Sequence, residues 1–342
     1  QEFESAVTDF TGIKYAVGVN SGTSGLHLII RSLGIGKGDE VITSPFSFVA
    51  SANCILYEGA KPVFVDIDPV TLNIDVTKIE KAITKKTKAI LAVDVFSHPC
   101  DWNALKKIAK KHKLFLIEDS AEALGSEYQG KKCGSFGDAG VFAFYPNKQI
   151  TTGEGGMIVT NNKKIADLCR SMANQGRKST AAKWLEHVRL GYNYRLDEMS
   201  SALGVAQMHR ISEILKKRKN VAQMYAKKLA GIEEIVIPHG TQDVTLSWFV
   251  YVIQLPNYLA GKKRDKIIAL MEKAGIHCGS YFNPIHLQAF YKKEFGYKTG
   301  DFPTTEQIGK RTLALPFFSD LKEHQIDIIV KHLKKIIHDA SV

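Results

Sequence analysis

The sequence has few cysteines, few prolines and no long apolar run, and each scarcity excludes a class of protein. The 342 residues include 5 cysteines and 10 prolines. The cysteines form no C-x-x-C pair, and their odd number argues against a disulfide framework. No apolar run reaches the roughly 18 residues that a membrane helix needs, and no signal peptide is visible, which favours a reducing, cytoplasmic setting. Because the chain begins at Gln1 rather than Met, we expect a preceding N-terminal segment.

Motifs for nucleotides and metals are also missing from the sequence. There is no G-x-x-x-x-G-K-[ST] phosphate loop, and the 11 histidines include no H-x-x-x-H pair that would place two ligands on one helix face. Gly34, Gly36 and Gly38 follow a helical segment and lack the G-x-G-x-x-G spacing, so we interpret them as a helix C-cap and turn. We therefore expect no metal site.

The composition is that of a globular protein with an excess of positive charge. Hydrophobic residues make up 44% and charged residues 24% of the chain, which excludes disorder, collagen and coiled coil as the main theme. Lys and Arg number 46 against 35 Asp and Glu, a net charge of +11 that suits acidic partners, although the basic residues are spread out and solubility is the alternative. The basic clusters have no interleaved aromatic residues and lie on polar faces of predicted helices, so we predict no nucleic-acid partner.

Short apolar runs alternate with helical segments through the first half of the chain. This alternation predicts a mainly parallel sheet that is covered by helices on both faces. The predicted strands are Glu40–Thr43, Pro62–Asp66, Ala89–Val93, Leu114–Glu118, Gly140–Tyr145 and Gly156–Thr160. Helices are predicted at Leu26–Leu33 and at Trp102–His112, the second one capped by Asp101.

The pattern changes in the second half of the chain. From about Arg195 to Leu229 it predicts one long helical stretch, and a smaller α/β segment follows. The predicted elements of that segment are the strand Trp248–Leu255 and the helices Arg264–Ala274 and His324–His338. We therefore predict a large domain over residues 1–225 and a small C-terminal domain over residues 226–342.

Three features of the first half suggest a bound phosphate compound. Small polar residues at Asn20–Gly25 open a helix, where free N–H groups and hydroxyls bind phosphate, although a plain helix cap is the alternative. Glu118 and Asp119 end a buried strand, at the edge where such sheets bind ligands, or else they cap the next helix. Lys148 lies between two predicted core strands, where an unpaired ammonium is costly and a buried lysine can form a Schiff base.

In this order the three features match the needs of pyridoxal 5'-phosphate (PLP). The cofactor requires a lysine for its aldehyde, a carboxylate for its pyridine nitrogen and a cup for its phosphate. The sequence resembles the DegT/StrS family of PLP-dependent sugar aminotransferases over nearly its whole length. The resemblance rests on Ser21–Thr23, Pro45–Phe48, Glu118–Asp119, Gly137–Asp138, Tyr145–Lys148, Gly153–Gly156, Gly191–Leu196 and Tyr281–Leu287.

The resemblance implies a fold and a set of residue roles. The fold is the aspartate-aminotransferase-like fold, fold type I, with a mainly parallel seven-stranded sheet between helices and a smaller C-terminal α/β domain. Lys148 would bind the cofactor aldehyde, and Asp119 would keep the pyridine nitrogen protonated. Gly22 and Thr23 would hold the phosphate, and Phe48 would stack on the ring.

Further implied roles concern the dimer and two departures from the family pattern. Asn193 would reach the phosphate of the neighbouring subunit's cofactor, so we expect a homodimer with composite active sites; the alternative is that Asn193 only caps the helix beginning near Leu196. The family often has a Ser whose hydroxyl binds the phosphate at the position of Ala143, so this chain lacks one phosphate donor. It often has Gln or His where Glu122 stands, near the ring oxygen of the cofactor.

The implied activity is amino transfer, with glutamate as the expected donor, to a keto group of a nucleotide-linked sugar, by way of pyridoxamine phosphate. Such an enzyme would serve amino-sugar or polysaccharide biosynthesis. One rival is a sugar dehydratase of the same family, which has histidine in place of Lys148. The others are a PLP lyase or aldolase, which would lack the Asn193 segment, and a cofactor-binding regulatory protein, for which no helix-turn-helix signal exists.

Overall fold

The computed structural model describes residues 1–178, 186–232 and 235–341. The helices are α1 (Glu2–Thr11), α2 (Gly22–Ser32), α3 (Ala50–Leu56), α4 (Val76–Ala82), α5 (Trp102–His112), α6 (Lys163–Ala173), α7 (Glu198–His209), α8 (Ile211–Leu229), α9 (Lys262–Lys273), α10 (Ala289–Phe295), α11 (Pro303–Gly309) and α12 (Glu323–Ser341). The strands are β1 (Tyr15–Val19), β2 (Glu40–Thr43), β3 (Lys61–Phe64), β4 (Thr87–Val93), β5 (Phe115–Asp119), β6 (Glu127–Tyr128), β7 (Lys131–Lys132), β8 (Ala139–Ala143), β9 (Gly156–Thr160), β10 (Val244–Thr245), β11 (Tyr251–Gln254) and β12 (Thr312–Leu315). Among the helices in these ranges, none combines the length and the apolar character that a bilayer crossing requires.

A seven-stranded sheet forms the centre of the fold, with the strand order β1-β9-β8-β5-β4-β2-β3. Its strands pair in parallel except at β9, which runs antiparallel to both β1 and β8. Successive strand residues face opposite sides: Ile117 packs with α2 and α6 on one face, and Leu116 packs with α4 and α5 on the other. The mainly parallel, helix-covered sheet predicted from the sequence is confirmed.

The predicted element bounds agree with the structure in several places and differ in others. Glu40–Thr43, Gly156–Thr160 and Trp102–His112 are found with the predicted bounds, and most other elements are displaced by a few residues. The single long helix predicted from about Arg195 is wrong. Two helices, α7 and α8, replace it, and they meet at Arg210, whose φ of −107° and ψ of 4° interrupt the helical path.

The C-terminal part has its own apolar core. The antiparallel pair β11–β12 packs against α8, α9 and α12. Val221, Tyr225 and Leu229 of α8 belong to this core, and the boundary predicted between residues 225 and 226 falls within that helix. The division into two domains stays a prediction.

Helix α2 approaches the central sheet closely at Gly25. A Cβ atom at this position would lie 2.7 Å from Cγ2 of Val141 on β8 and 3.3 Å from Cγ1 of Ile158 on β9. Because both neighbours are buried in the core, they have little room to move away. The missing side chain therefore sets the distance between the helix and the two strands.

We expect Gly25→Ala to lower the free energy of unfolding by about 1–3 kcal/mol, because the added methyl overpacks the contact with Val141 and Ile158. Alanine normally stabilises a helix interior by about 1 kcal/mol relative to glycine, so a net loss would mean that the packing cost exceeds this gain. The measurement is the midpoint of urea unfolding followed by circular dichroism. Gly36→Ala is the control, because its Cβ would meet only Glu58 O at 3.5 Å. A Gly25→Ala protein as stable as wild type would contradict the expectation.

Candidate active site

A cleft of about 520 Å³ opens at the edge of the sheet where the parallel strands end. Val93, Asp119 and Ala143, the last residues of β4, β5 and β8, all line it. The predicted site residues found in its wall are Gly22, Thr23, Phe48, Asp119, Glu122 and Lys148. The structure thus brings together side chains that are separated by more than a hundred positions in the sequence.

The phosphate cup predicted at the start of α2 is a helix N-terminus that opens on this cleft. The Ser21 hydroxyl accepts a hydrogen bond from Ser24 N at 3.1 Å and so caps the helix. This cap engages one N–H group of the first turn, and phosphate binding there stays a prediction. A Cβ on Gly22 would lie 2.9 Å from that of Ala143, and a Cβ on Gly156 would lie 2.6 Å from Ser21 O. These close approaches place the first turn beside the ends of β8 and β9, where its unpaired N–H groups can bind an anion.

Asp119 presents a buried carboxylate to the cleft. Its Oδ2 accepts a hydrogen bond from the Ser51 hydroxyl at 2.7 Å, and its Oδ1 accepts one from Ala121 N at 3.2 Å. Burial raises the pKa of this carboxyl group, and the hydrogen bonds together with the charge of Lys148 oppose that rise. The alternative that these acids cap a following helix is wrong, because the next helix begins only at Lys163.

Glu118, the preceding acid, points to the opposite face of β5. Its carboxylate accepts hydrogen bonds from Gly134 N and from Phe136 N, the latter at 2.8 Å. The Ser120 hydroxyl bridges Glu118 and the buried Asp94, at 3.0 Å and 2.8 Å. Burial raises the pKa of both acids. Glu118 thus joins the loop after β7 to the sheet, while Asp119 faces the cleft.

Lys148 carries the amine of the cleft. Only 14% of its side chain is exposed, and its Nζ lies 3.7 Å from Glu122 Oε1. The ammonium also lies 4.1 Å from the ring centroid of Phe249, a cation–π distance. Glu122 is buried and accepts a hydrogen bond from Phe96 N at 2.9 Å. Burial raises the pKa of Glu122, and the charge of Lys148 opposes the rise.

The loop that carries Lys148 is closed at its base and held from behind. Phe144 N donates to Gly155 O at 2.9 Å where β8 leaves and β9 begins. The carbonyl of Lys148 accepts a hydrogen bond from Nη2 of Arg218 at 2.9 Å. Arg218 lies on α8, so a helix from the second half of the chain fixes the lysine backbone.

The cleft residues fit PLP. A helix N-terminus, a carboxylate and an amine all face one space, and these are the groups that its phosphate, pyridine nitrogen and aldehyde require. The Asp119 carboxylate has one hydroxyl donor and one long N–H contact, which leaves it able to accept from a cationic ring nitrogen. Phe48 offers an aromatic face to the cleft, and the residue is 64% exposed. The absence of a hydroxyl at Ala143 removes one donor without blocking the cup.

Several cleft residues were missed by the sequence reasoning. They are Ser51, Ala121, Asn147, Phe249, Tyr281 and Phe282. Ser51 gives only a weak signal, because it lies four residues after Ser47 and close to Pro45–Phe48; in the structure the two serine hydroxyls are 2.9 Å apart. Tyr281 and Phe282 lie in a segment that already carried the family resemblance. Phe249 gives no local signal, because only the fold brings it to Lys148.

Asn193 lies outside this cleft within the described part of its own chain. Asn193 is exposed, and its backbone forms an antiparallel bridge with Asn174. Asp197 caps α7 through a 2.9 Å hydrogen bond from Ser200 N, so the alternative that Asn193 is the helix cap is wrong. Its reach into a neighbouring subunit stays a prediction.

Comparisons with known proteins agree with this geometry. The model of the DegT/DnrJ/EryC1/StrS aminotransferase family matches residues 1–334. GDP-perosamine synthase of Caulobacter vibrioides is 39% identical over 337 residues, which cover 98% of this chain and 89% of that protein. PseC of Helicobacter pylori is an aminotransferase involved in the biosynthesis of pseudoaminic acid. Its structure is 32% identical in sequence, with a TM-score of 0.93, and the match covers 98% of this chain and 90% of PseC. Spr1654 of Streptococcus pneumoniae, solved in its PLP form, is 28% identical with a TM-score of 0.94. The match covers 99% of this chain and 91% of Spr1654.

A match over almost the entire chain, to a family whose cofactor the cleft residues fit, settles the assignment. This protein belongs to the DegT/DnrJ/EryC1/StrS aminotransferase family.

Proposed function

We propose that the protein transfers an amino group from glutamate to a keto group of a nucleotide-linked sugar. The observation that carries the proposal is the convergence of Asp119 and Lys148 on one cleft beside the N-terminus of α2. The names of two relatives, a GDP-perosamine synthase and an aminotransferase of pseudoaminic acid biosynthesis, support a sugar as the acceptor. The net charge of +11 suits an acceptor that carries a diphosphate.

Three residues of the cleft have a task in this chemistry. Bound PLP would supply the electron sink for the transfer. Lys148 would hold the cofactor between turnovers; once free, its Nζ would carry the proton between the substrate carbon and the aldehyde carbon of the cofactor. Asp119 keeps the proton on the pyridine nitrogen. Glu122, 3.7 Å from Nζ, positions the ammonium when Lys148 is protonated.

The test of the activity combines a substrate screen with chemical trapping. Wild-type protein is incubated with glutamate and a panel of nucleotide keto-sugars, and we expect an amino-sugar product by mass spectrometry. Borohydride reduction should fix the cofactor on Lys148, as mapped by peptide analysis, and Lys148→Ala should abolish turnover. Lys131→Ala is the matched control, because that lysine is exposed and lies outside the cleft. An adduct on another lysine, or turnover by Lys148→Ala, would refute the assignment.

Amide substitutions at the two neighbouring acids should have different effects. Asp119→Asn keeps an acceptor for the Ser51 hydroxyl, so we expect an intact fold but a fall in turnover of about 10²-fold or more, because the ring nitrogen loses its carboxylate. Glu118→Gln turns an NH₂ group toward N–H donors in the core, which should lower the free energy of unfolding by about 1–3 kcal/mol. Steady-state kinetics and urea unfolding measure the two quantities. Full activity of Asp119→Asn would mean that another acid faces the ring.

We further propose that the active unit is a homodimer with shared sites. Asn193 is exposed in its own chain, and the apolar residues Leu190 and Met199, close to it in the sequence, are also exposed. Exposed apolar groups of this kind often mark protein–protein contacts. In an isologous dimer, each site would then combine Lys148 of one chain with Asn193 of the other.

Mixing two inactive variants tests the shared site. Lys148→Ala and Asn193→Asp chains are combined in equal amounts and allowed to exchange subunits. Each mixed dimer would then have one intact site, so we expect activity to return to about a quarter of the wild-type value. If Asn193 acts within its own chain, every site keeps a lesion and mixing restores nothing. Gel filtration and circular dichroism of each variant check assembly and folding.

A further inference from the structure

A partly buried ionic cluster lies on α2 but outside the cleft. It consists of Glu58 with His27 and Arg31, which are one turn apart on α2. His27 Nε2 lies 2.7 Å from Glu58 Oε1, and Nη1 of Arg31 donates to both Glu58 oxygens at 2.9 Å and 2.7 Å. Only 11% of the Glu58 side chain is exposed. None of the three lines the cleft within the described part of the chain.

The protonation of this cluster follows from its contacts. Burial alone would raise the pKa of Glu58, but the hydrogen bonds from Arg31 and His27 outweigh it and lower the pKa. Burial lowers the pKa of His27 despite its contact with Glu58, so the imidazole is neutral near pH 7. An ionised Glu58 only accepts hydrogen bonds, so the ring proton lies on Nε2 and leaves Nδ1 as an acceptor.

Two tyrosines from a distant part of the chain complete the cluster. The Tyr194 hydroxyl lies 3.3 Å from His27 Nδ1, and the Tyr192 hydroxyl donates to Glu58 Oε1 at 3.3 Å. The two tyrosine rings stack with centroids 4.8 Å apart, and the centroid of His27 lies 4.9 Å from that of Tyr192. Arg31 also lies 5.7 Å from the Tyr192 ring centroid.

These tyrosines flank Asn193 in an extended segment. Tyr192 N donates to Met172 O at 2.7 Å, and Asn20 N donates to Tyr194 O at 2.9 Å. Alternation along an extended backbone places Tyr192 and Tyr194 on the inner side and Asn193 on the outer side. The inner contacts therefore fix the direction in which Asn193 points.

We propose that Glu58 is a positioning residue for the neighbouring subunit's active site. Through His27 and Arg31 it anchors the two tyrosines, and these hold Asn193 toward the partner's cofactor phosphate. The inference rests on the shared site proposed above. Helix α2 would then serve two sites, because its first turn forms the phosphate cup of its own chain and its middle orients the residue given to the partner.

The test places Glu58→Gln in either chain of the mixed dimer described above. The intact site of that dimer takes Lys148 from the Asn193→Asp chain and Asn193 from the Lys148→Ala chain. We expect Glu58→Gln in the Lys148→Ala chain to reduce the restored activity about fivefold or more, the effect of losing one charged hydrogen bond. The same change in the Asn193→Asp chain should leave the restored activity within about twofold.

A second readout does not depend on turnover. This readout is the rate at which PLP leaves the site that contains Lys148, followed by absorbance in the presence of a scavenging protein. The rate should rise only when Glu58→Gln is in the Lys148→Ala chain. Tyr192→Phe is a second variant, for use if Glu58→Gln weakens the fold. It removes the hydroxyl bond to Glu58 but keeps the ring stacking. In the Lys148→Ala chain it should also reduce the restored activity, by less than Glu58→Gln does. Glu80→Gln is the matched control, because Glu80 pairs with Lys111 and His112 at 2.8 Å each on the surface.

Each other outcome overturns the proposal in a recognisable way. Equal losses in the two arrangements would mean that Glu58 only stabilises the fold. If activity falls only when Glu58→Gln is placed in the Asn193→Asp chain, Glu58 acts on the phosphate cup of its own chain. If mixing without any Glu58 change restores nothing, the shared site itself is wrong and this proposal fails with it, whereas the aminotransferase activity of wild type is judged separately by the substrate screen.

Discussion

The close packing of α2 on the central sheet is the contact on which the rest of the site depends. Gly25 lets the helix approach Val141 of β8 and Ile158 of β9, and the strand β8 leads directly into the loop with Lys148. The distance from the proposed phosphate cup to Lys148 is therefore set by packing between core atoms. A cofactor held at both its phosphate and its aldehyde requires that distance to be constant.

Two adjacent acids in β5 show how one strand meets opposite demands. Glu118 accepts hydrogen bonds from backbone N–H groups of Gly134 and Phe136, and these bonds hold that loop to the sheet. Asp119 keeps unused capacity as an acceptor toward the cleft, at the cost of a raised pKa from burial. The alternation of side chains along a strand makes this division possible without any change of backbone. A cationic ring nitrogen would compensate the desolvation of Asp119.

Much of the fold could be predicted from the sequence because its signals are local. Trp102–His112 has a cap at Asp101 and basic residues in its last turn, and Glu40–Thr43 is a short apolar run between turns; both were placed with their observed bounds. The break at Arg210 escaped prediction because the apolar pattern continues across it and no proline or glycine marks it. The acid and the lysine were predicted from their place after strands, whereas Phe249 and Ser51 depend on contacts between distant segments.

The closed base of the lysine loop has a kinetic meaning. Because Phe144 and Gly155 are bonded to each other and Arg218 holds the Lys148 carbonyl, the lysine backbone cannot withdraw when its amine is released. The amine then explores only the small volume that its own side chain can reach. A nucleophile confined in this way has an effective molarity far above that of amines free in solution. If Lys148 binds the cofactor as proposed, this architecture would favour recapture of the cofactor by its own lysine after each turnover over its loss to another amine.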